Sequence, residues 1–272
     1  LWHTLSLHDA LPICVDFQRR PEDARQEINE WVSEQTAHKI IDLLPPSAID
    51  PLTVLVLTNA VHFLAQWAEP FEPERTVDRP FHVPGIGAVD VPTMRQSETF
   101  AYAADDDVQF LRLPYSGGRQ VCEIILPRAR EGLADLTAGL TRTRLQAWRG
   151  AARSRLVDLE LPRVDIEARL ELADLLADLG MPGAFRPGRA DFSGMTTDEP
   201  LVIDRVIHQA VVTMDEAGTE AAAATAITML RSSVREPGEV VTFRADHPFL
   251  FLVRDEPTGA VLFVGRVVDP RG

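Results

Sequence analysis

Serine, histidine and aspartate all occur in this 272-residue chain, so nucleophilic hydrolysis is the first chemistry to test. A hydroxyl nucleophile needs a sharp turn that presents it beside a base, as in a Gly-x-Ser-x-Gly elbow. The nearest phrase, Asp191-Phe192-Ser193-Gly194-Met195, lacks the first glycine. His62, His82, His208 and His247 stand apart with no His-x-x-x-His spacing, and there is no phosphate loop or dinucleotide fingerprint. Cys14 and Cys122 have no metal-ligand spacing and form no disulfide framework. Asp105-Asp106-Asp107 lacks the calcium-loop pattern and reads as a solvated acidic turn. The chain is therefore not read as an enzyme, and no catalytic residue, metal or cofactor is expected.

A different kind of chemistry is written in the stretch from Glu216 to Ala226, Glu-Ala-Gly-Thr-Glu-Ala-Ala-Ala-Ala-Thr-Ala, which an apolar run from Leu201 to Met214 leads into. Local propensity alone favours a helix here, because alanine is the best helix former. However, Thr219, Ala221, Ala223 and Thr225 fall on every second position. In a strand those four small side chains would share one face, with Glu220 on the other. Such a segment can be an exposed loop in one state and a buried strand in another.

Composition narrows the function classes. Hydrophobic residues make up 45% and charged residues 25%, as in ordinary globular proteins. The net charge of −14 argues against nucleic acid as a partner, since phosphate binding needs a basic face. No apolar run approaches the roughly 20 residues that span a bilayer, so no membrane role is expected. Residues 1–13 begin with leucine and resemble a translated sequencing adapter. They are set aside as non-native.

The elements that would position these residues follow from pattern. Pro21-Glu22-Asp23 opens a helix with acids in its first turn, and it is read as running from Pro21 to Ile41. Thr53 to Ala65 contains Val54-Leu55-Val56-Leu57, apolar on both faces, which predicts a buried central strand. Strands are predicted around Phe81–Val83, Val89–Thr93, Val108–Leu113, Val121–Leu126 and Leu156–Leu161. Helices are predicted at Leu133–Leu140, Arg142–Trp148 and Arg169–Leu179, the last capped by Gly180. Phe249–Val253 and Val261–Val267 flank Pro257-Thr258-Gly259 as a buried hairpin. Strands without regularly alternating helices make the fold class α+β.

Asn59 and His208 are polar residues in apolar strands and need partners to offset desolvation. Satisfied core groups would account for them, and Trp67 would by default be a large core residue. In sequence order the pieces say more. Thr58-Asn59-Ala60-Val61-His62-Phe63-Leu64-Ala65-Gln66-Trp67-Ala68-Glu69-Pro70-Phe71 resembles strand 3A of the serpins and its exit. Asp204-Arg205-Val206-Ile207-His208-Gln209-Ala210 resembles their strand 5A, and Glu216 to Ala226 resembles the hinge of an inhibitory member. Ala245-Asp246-His247-Pro248-Phe249-Leu250-Phe251 and Phe263-Val264-Gly265-Arg266-Val267 resemble the family's C-terminal motifs.

The resemblance covers about residues 15 to 271. It implies a serpin fold with a large mixed sheet A, sheets B and C, and helices. Residues 14–272 would be the C-terminal part of one such domain, without its first helices and early strands. The hinge and reactive-centre loop would occupy about residues 216–238. The resemblance also implies suicide inhibition of a serine protease through a covalent acyl complex, by a monomer that acts outside the cell by family habit. The hinge would comprise Glu216, Gly218, Thr219, Glu220, Ala221, Ala222, Ala223, Ala224 and Thr225. Asn59, His208 and Trp67 would lie where the sheet opens. Counting from Glu216 places the acyl donor at Ser232, with Ser233 following. Chemistry prefers Arg231-Ser232, which suits trypsin-like targets. Leu230 or Met229 would suit chymotrypsin- or elastase-like enzymes. A non-inhibitory binding serpin and a non-functional fragment are the competing expectations.

Overall fold

Eighteen consecutive residues of one strand and a row of short neighbours dominate the computed structural model, which describes residues 14–197, 200–219 and 240–271. In chain order the helices are α1 (Pro21–Gln35), α2 (Leu133–Ala138), α3 (Arg142–Ala151) and α4 (Ala173–Asp178). The strands are β1 (Val56–His62), β2 (Ala65–Gln66), β3 (Val77–Val83), β4 (Gly87–Ala104), β5 (Val108–Pro114), β6 (Gln120–Pro127), β7 (Arg153–Pro162), β8 (Val164–Glu171), β9 (Arg205–Met214), β10 (Gly218–Thr219), β11 (Val241–Arg244), β12 (Phe249–Asp255) and β13 (Val261–Val267). The fold class is α+β, as the pattern predicts. The chain divides into two units, Leu1–His62 with Ala168–Val211, and Phe63–Glu167 with Val212–Gly272.

In the first unit, β1 pairs in parallel with β9 from Val56↔Arg205 to His62↔Val211. Val56, Ala60, Ile207 and Val211 face the core formed by Ile28 and Val32 of α1 with Ile40, Leu43 and Leu44. The other face of β1 is open: Leu57 is 42% exposed, and Asn59 is exposed too. The expectation that this strand is buried on both faces is therefore corrected, because only one of its faces meets core side chains. The strand is also shorter than Thr53–Ala65.

α1 ends at Gln35 instead of Ile41. The Thr36 hydroxyl donates back to the Val32 carbonyl (2.8 Å), and the backbone turns left-handed at Ala37 (φ 50°) and His38 (φ 62°). The His38 amide then reaches the Ser33 carbonyl at 2.7 Å, a Schellman closure made without glycine. The predicted helix Arg169–Leu179 is likewise corrected. Residues up to Glu171 belong to β8, and the Leu172 amide bonds the Val206 carbonyl at 2.8 Å, so only Ala173–Asp178 is left to coil. Strand pairing there outweighs local helical periodicity. The run from Leu201 begins its strand only at Arg205, since the Ile203 and Asp204 amides bond Ala184 and Leu55.

The second unit holds a sheet ordered β11-β7-β4-β5-β6-β12-β13, with β3 also paired to β4. All eight residues of β6 are buried, as a strand covered on both faces must be. The predicted hairpin is β12 antiparallel to β13, but the expectation that it is buried is corrected: β12 is buried throughout, whereas β13 packs on one side only and leaves Leu262 and Val264 exposed. Phe249, Phe251, Leu111, Ile124, Leu159 and Phe243 belong to its main core. A second layer forms where Trp148 of α3 and Leu133 and Leu136 of α2 cover Phe110, Ile125 and Leu250.

Candidate functional site: the hinge and its seat

Met214 ends β9, and four residues later the chain has reversed. The Asp215 carboxylate accepts from the amides of Ala217 (2.9 Å) and Gly218 (3.1 Å), and the Asp215 amide donates to the Gly218 carbonyl (2.8 Å). This aspartate turn sets Thr219 opposite Met214 on one side, while Gly218 and Thr219 pair with Gln66 and Ala65 of β2 on the other. The backbones approach so closely that a Cβ on Gly218 would lie 2.1 Å from the Ala65 carbonyl oxygen. Only glycine fits that position.

Thr219 is fully buried. Its hydroxyl is 2.7 Å from that of Tyr115, which is itself fully buried. Trp67 stacks flat on the Tyr115 ring, with centroids 4.6 Å apart at 10°, and Phe63 meets the same ring edge-on at 5.1 Å. The Trp67 indole donates to the Asp215 carbonyl at 2.9 Å, and its backbone amide donates to Ala217. Burial pushes the Tyr115 hydroxyl well above its ordinary pKa and the neighbouring Cys122 thiol up to about 12. Both stay neutral, so the seat of Thr219 is an uncharged pocket for a small side chain.

Glu216 is held more firmly than its place in a surface turn would require. It is 7% exposed, accepts from the Arg163 guanidinium (2.9 Å) and takes a very short hydrogen bond from the Thr76 hydroxyl. Burial raises its pKa, but the bonds from Arg163 and Thr76 outweigh this and leave the carboxyl below its ordinary value. The Phe71 amide closes the turn on the Glu216 carbonyl at 2.8 Å.

In the first unit, Asn59 and His208 stand directly opposite each other in the β1–β9 register, and His208 Nδ1 donates to Asn59 Oδ1 at 2.8 Å. Of the residues named from sequence, Glu216, Gly218, Thr219 and Trp67 are therefore gathered in one place, and Asn59 and His208 in another. Glu220, Ala221, Ala222, Ala223, Ala224, Thr225, Met229, Leu230, Arg231, Ser232 and Ser233 lie outside the described residues. Tyr115, Arg163, Thr76 and Asp215 were not singled out from sequence. Tyr115 is one of only two tyrosines and sits beside Pro114 at a strand end, but nothing local connects it to a residue 104 positions away.

The rejected motifs have simple geometries. The Ser193 hydroxyl donates to Asp191 at 2.7 Å within an exposed turn. Asp105 accepts from the amides of Asp107 and Val108 and from the Trp148 indole. Among the described residues no group of three or more histidine, cysteine or acidic side chains is placed to hold a metal. No helix among them is long and apolar enough to cross a membrane.

The turn from β9 into β10 and the antiparallel pair β12–β13 fall on the segments whose motifs carry the resemblance. The sequence profile of the serpin (serine protease inhibitor) family matches residues 4–270, and the chain belongs to that family. It is 43% identical over 258 residues to an uncharacterized serpin-like protein of Thermococcus kodakarensis, covering 94% of this chain and 59% of that protein. It is 40% identical over 275 residues to the leukocyte elastase inhibitor of Equus caballus, covering 98% of this chain and 72% of the inhibitor. The crystal structure of human thyroxine-binding globulin superposes with a TM-score of 0.82 at 32% identity, over 94% of this chain and 66% of that one. The chain thus spans about three fifths of the length of its archaeal relative.

Proposed function

We propose that this chain is part of a suicide inhibitor of serine-type endopeptidases. The protease serine oxygen would attack the Arg231 carbonyl carbon, the bond to Ser232 would break, and the Ser232 nitrogen would leave carrying a proton. The protease would remain as an ester on Arg231. The released hinge would then extend β10, with Thr219, Ala221, Ala223 and Thr225 turned inward. Strand addition and release of stored strain by serpin loops are general examples of this physics.

The observation that carries the reading is the position of Thr219. It already pairs with Met214 and Ala65 in a sheet position that is fully buried. A loop that continued this strand would place every second residue in surroundings of the same kind, which small side chains tolerate. In the same reading Asn59, His208 and Trp67 act where the sheet opens, and the protein works as a monomer outside the cell. Similarity to a leukocyte elastase inhibitor supports the inhibitory class, and Arg231 supports a trypsin-like target within it.

The test is incubation with trypsin, followed by denaturing electrophoresis and mass spectrometry of the cut. The expected result is an SDS-resistant complex joined through Arg231. It should be absent for Arg231→Ala, and replaced by simple cleavage for Thr219→Arg, because a buried guanidinium would slow insertion. Cleavage of the parent chain without a complex would overturn the proposal. It would favour the second reading, a non-inhibitory binding serpin, for which the likeness to thyroxine-binding globulin is the supporting observation. A chain neither cleaved nor trapped by trypsin, chymotrypsin or elastase would favour the remaining reading, a non-functional fragment.

A further inference from the structure

We propose that a cleft of about 280 Å³ in the second unit, lined by residues of β3, β4, β7 and β11, binds a small oxyanion carrying at least two negative charges. The strand registers place Arg244 of β11 opposite Glu160 of β7, and Glu160 opposite Arg95 of β4. These three side chains form one cross-strand row on a single face of the sheet. Glu160 is the only carboxylate in the row: its two oxygens lie 3.1 Å from Arg95 Nε and 3.8 Å from Arg244 Nε. One negative charge is thus shared between two guanidiniums. Arg95 Nε is buried and has no hydrogen bond of proper geometry, so at least one donor in the cleft lacks an acceptor.

Two further residues widen the imbalance. Arg79 of β3 lines the same cleft and makes no ion pair among the described residues. Asp246, the other carboxylate on the lining, is engaged by His247 Nδ1 at 2.7 Å. Three arginines therefore line the cleft with two carboxylates, Glu160 shared between two of them and Asp246 engaged by His247, on a chain whose net charge is −14. Guanidinium donors in a fixed fork match phosphate and carboxylate oxygens, and such charge-assisted bonds are the strong ones. Pro80, Phe81 and Ala245 supply an apolar wall. The volume lies near the lower end of roughly 300–1,000 Å³ for ligand pockets, which suits a phosphate ester or a polycarboxylate. An anion bridging Arg79 and Arg244 would tie β3 to β11, two strands that do not pair with each other.

The test is isothermal titration calorimetry of the 272-residue chain with inorganic phosphate and, separately, with citrate, at constant ionic strength set by chloride. Saturable one-to-one binding is expected for at least one probe, and the tighter probe identifies the source as phosphate ester or polycarboxylate. Arg79→Gln and Arg244→Gln, both at exposed side chains, should each weaken it at least about tenfold, a difference calorimetry resolves. Arg271→Gln, whose guanidinium bonds Asp269 away from the cleft lining, should leave it unchanged. Heats that fail to saturate with both probes would overturn the proposal. So would an affinity that is the same in Arg79→Gln and Arg244→Gln as in the parent.

Discussion

A methyl group on Gly218 has no room, because its nearest neighbours are main-chain atoms of β2: the Ala65 carbonyl oxygen at 2.1 Å and Gln66 Cα at 2.6 Å. Flexible side chains could move aside, but paired strands cannot without breaking their ladder. Gly218→Ala should therefore destabilise the hinge by about 1–3 kcal/mol, the scale of a forced backbone outlier, as read by urea denaturation. Tyr115→Phe removes the partner of the Thr219 hydroxyl and should cost about 1–3 kcal/mol, because it leaves a buried polar group unpaired. Tyr115→Phe combined with Thr219→Val should cost less than the two single changes summed, which a double-mutant cycle measures directly. Glu216 adds a pH dependence. Its folded pKa is lowered, so its contribution to stability is fully present above the ordinary glutamate value of 4.5 and is lost as pH falls through the folded value. Denaturation midpoints of Glu216→Gln should lack that part of the acid limb. An identical loss between pH 5 and pH 3 in both proteins would remove Glu216 from the account.

Elements in the first unit depend on side chains that close main-chain groups. Asn29 of α1 accepts from the Leu44 amide (2.8 Å) and donates to its carbonyl (2.9 Å), and Arg25 adds a second bond to that carbonyl at 2.7 Å. These bonds replace a regular partner for the segment after α1, whose apolar residues Ile40, Leu43 and Leu44 are fully buried. The α1 terminus offers a sharper test. Its left-handed position is occupied by Ala37, although glycine adopts that conformation without a steric penalty. Ala37→Gly should stabilise the chain by about 1 kcal/mol, the usual cost of the left-handed conformation for a residue with a Cβ. Loss of stability in chemical denaturation would show that unfolded-state entropy outweighs relief of the turn. No glycine follows α1, so its C-terminus carried no sequence signal before Pro45-Pro46, and the family resemblance placed its end at Ile41.

At the scale of the molecule, apolar surface is left open where the pattern promised a core. Leu57 on β1 is 42% exposed, and Leu179, just after α4, is 73% exposed. Exposed apolar surface favours association where it forms a large patch. Light scattering should show mass increasing with concentration for the parent chain and a smaller increase for Leu57→Lys. Equal curves would mean that this face is not where copies meet. Much of the architecture was legible beforehand. Period-two alternation located β7, and largely apolar runs located β6 and β12, because a strand's two faces record its surroundings residue by residue. The helix expected over Arg169–Leu179 failed for the opposite reason: its periodicity is local, whereas the β8 pairing that displaced its first half depends on a strand more than 30 residues away.

The chain's own letters determined the family, the α+β class and the small residues at alternate positions from Thr219 to Thr225. Each of these is a property of neighbours in sequence. Tertiary structure alone decided that Thr219 rests on Tyr115, that Arg163 and Thr76 hold Glu216, that only glycine fits at residue 218, and that Arg95 and Arg244 share the Glu160 carboxylate. The physical reason is separation along the chain. Thr219 and Tyr115 are 104 residues apart, and Glu216 and Thr76 are 140 apart. Side chains that far apart meet only after strand register has been set by the burial of many other residues.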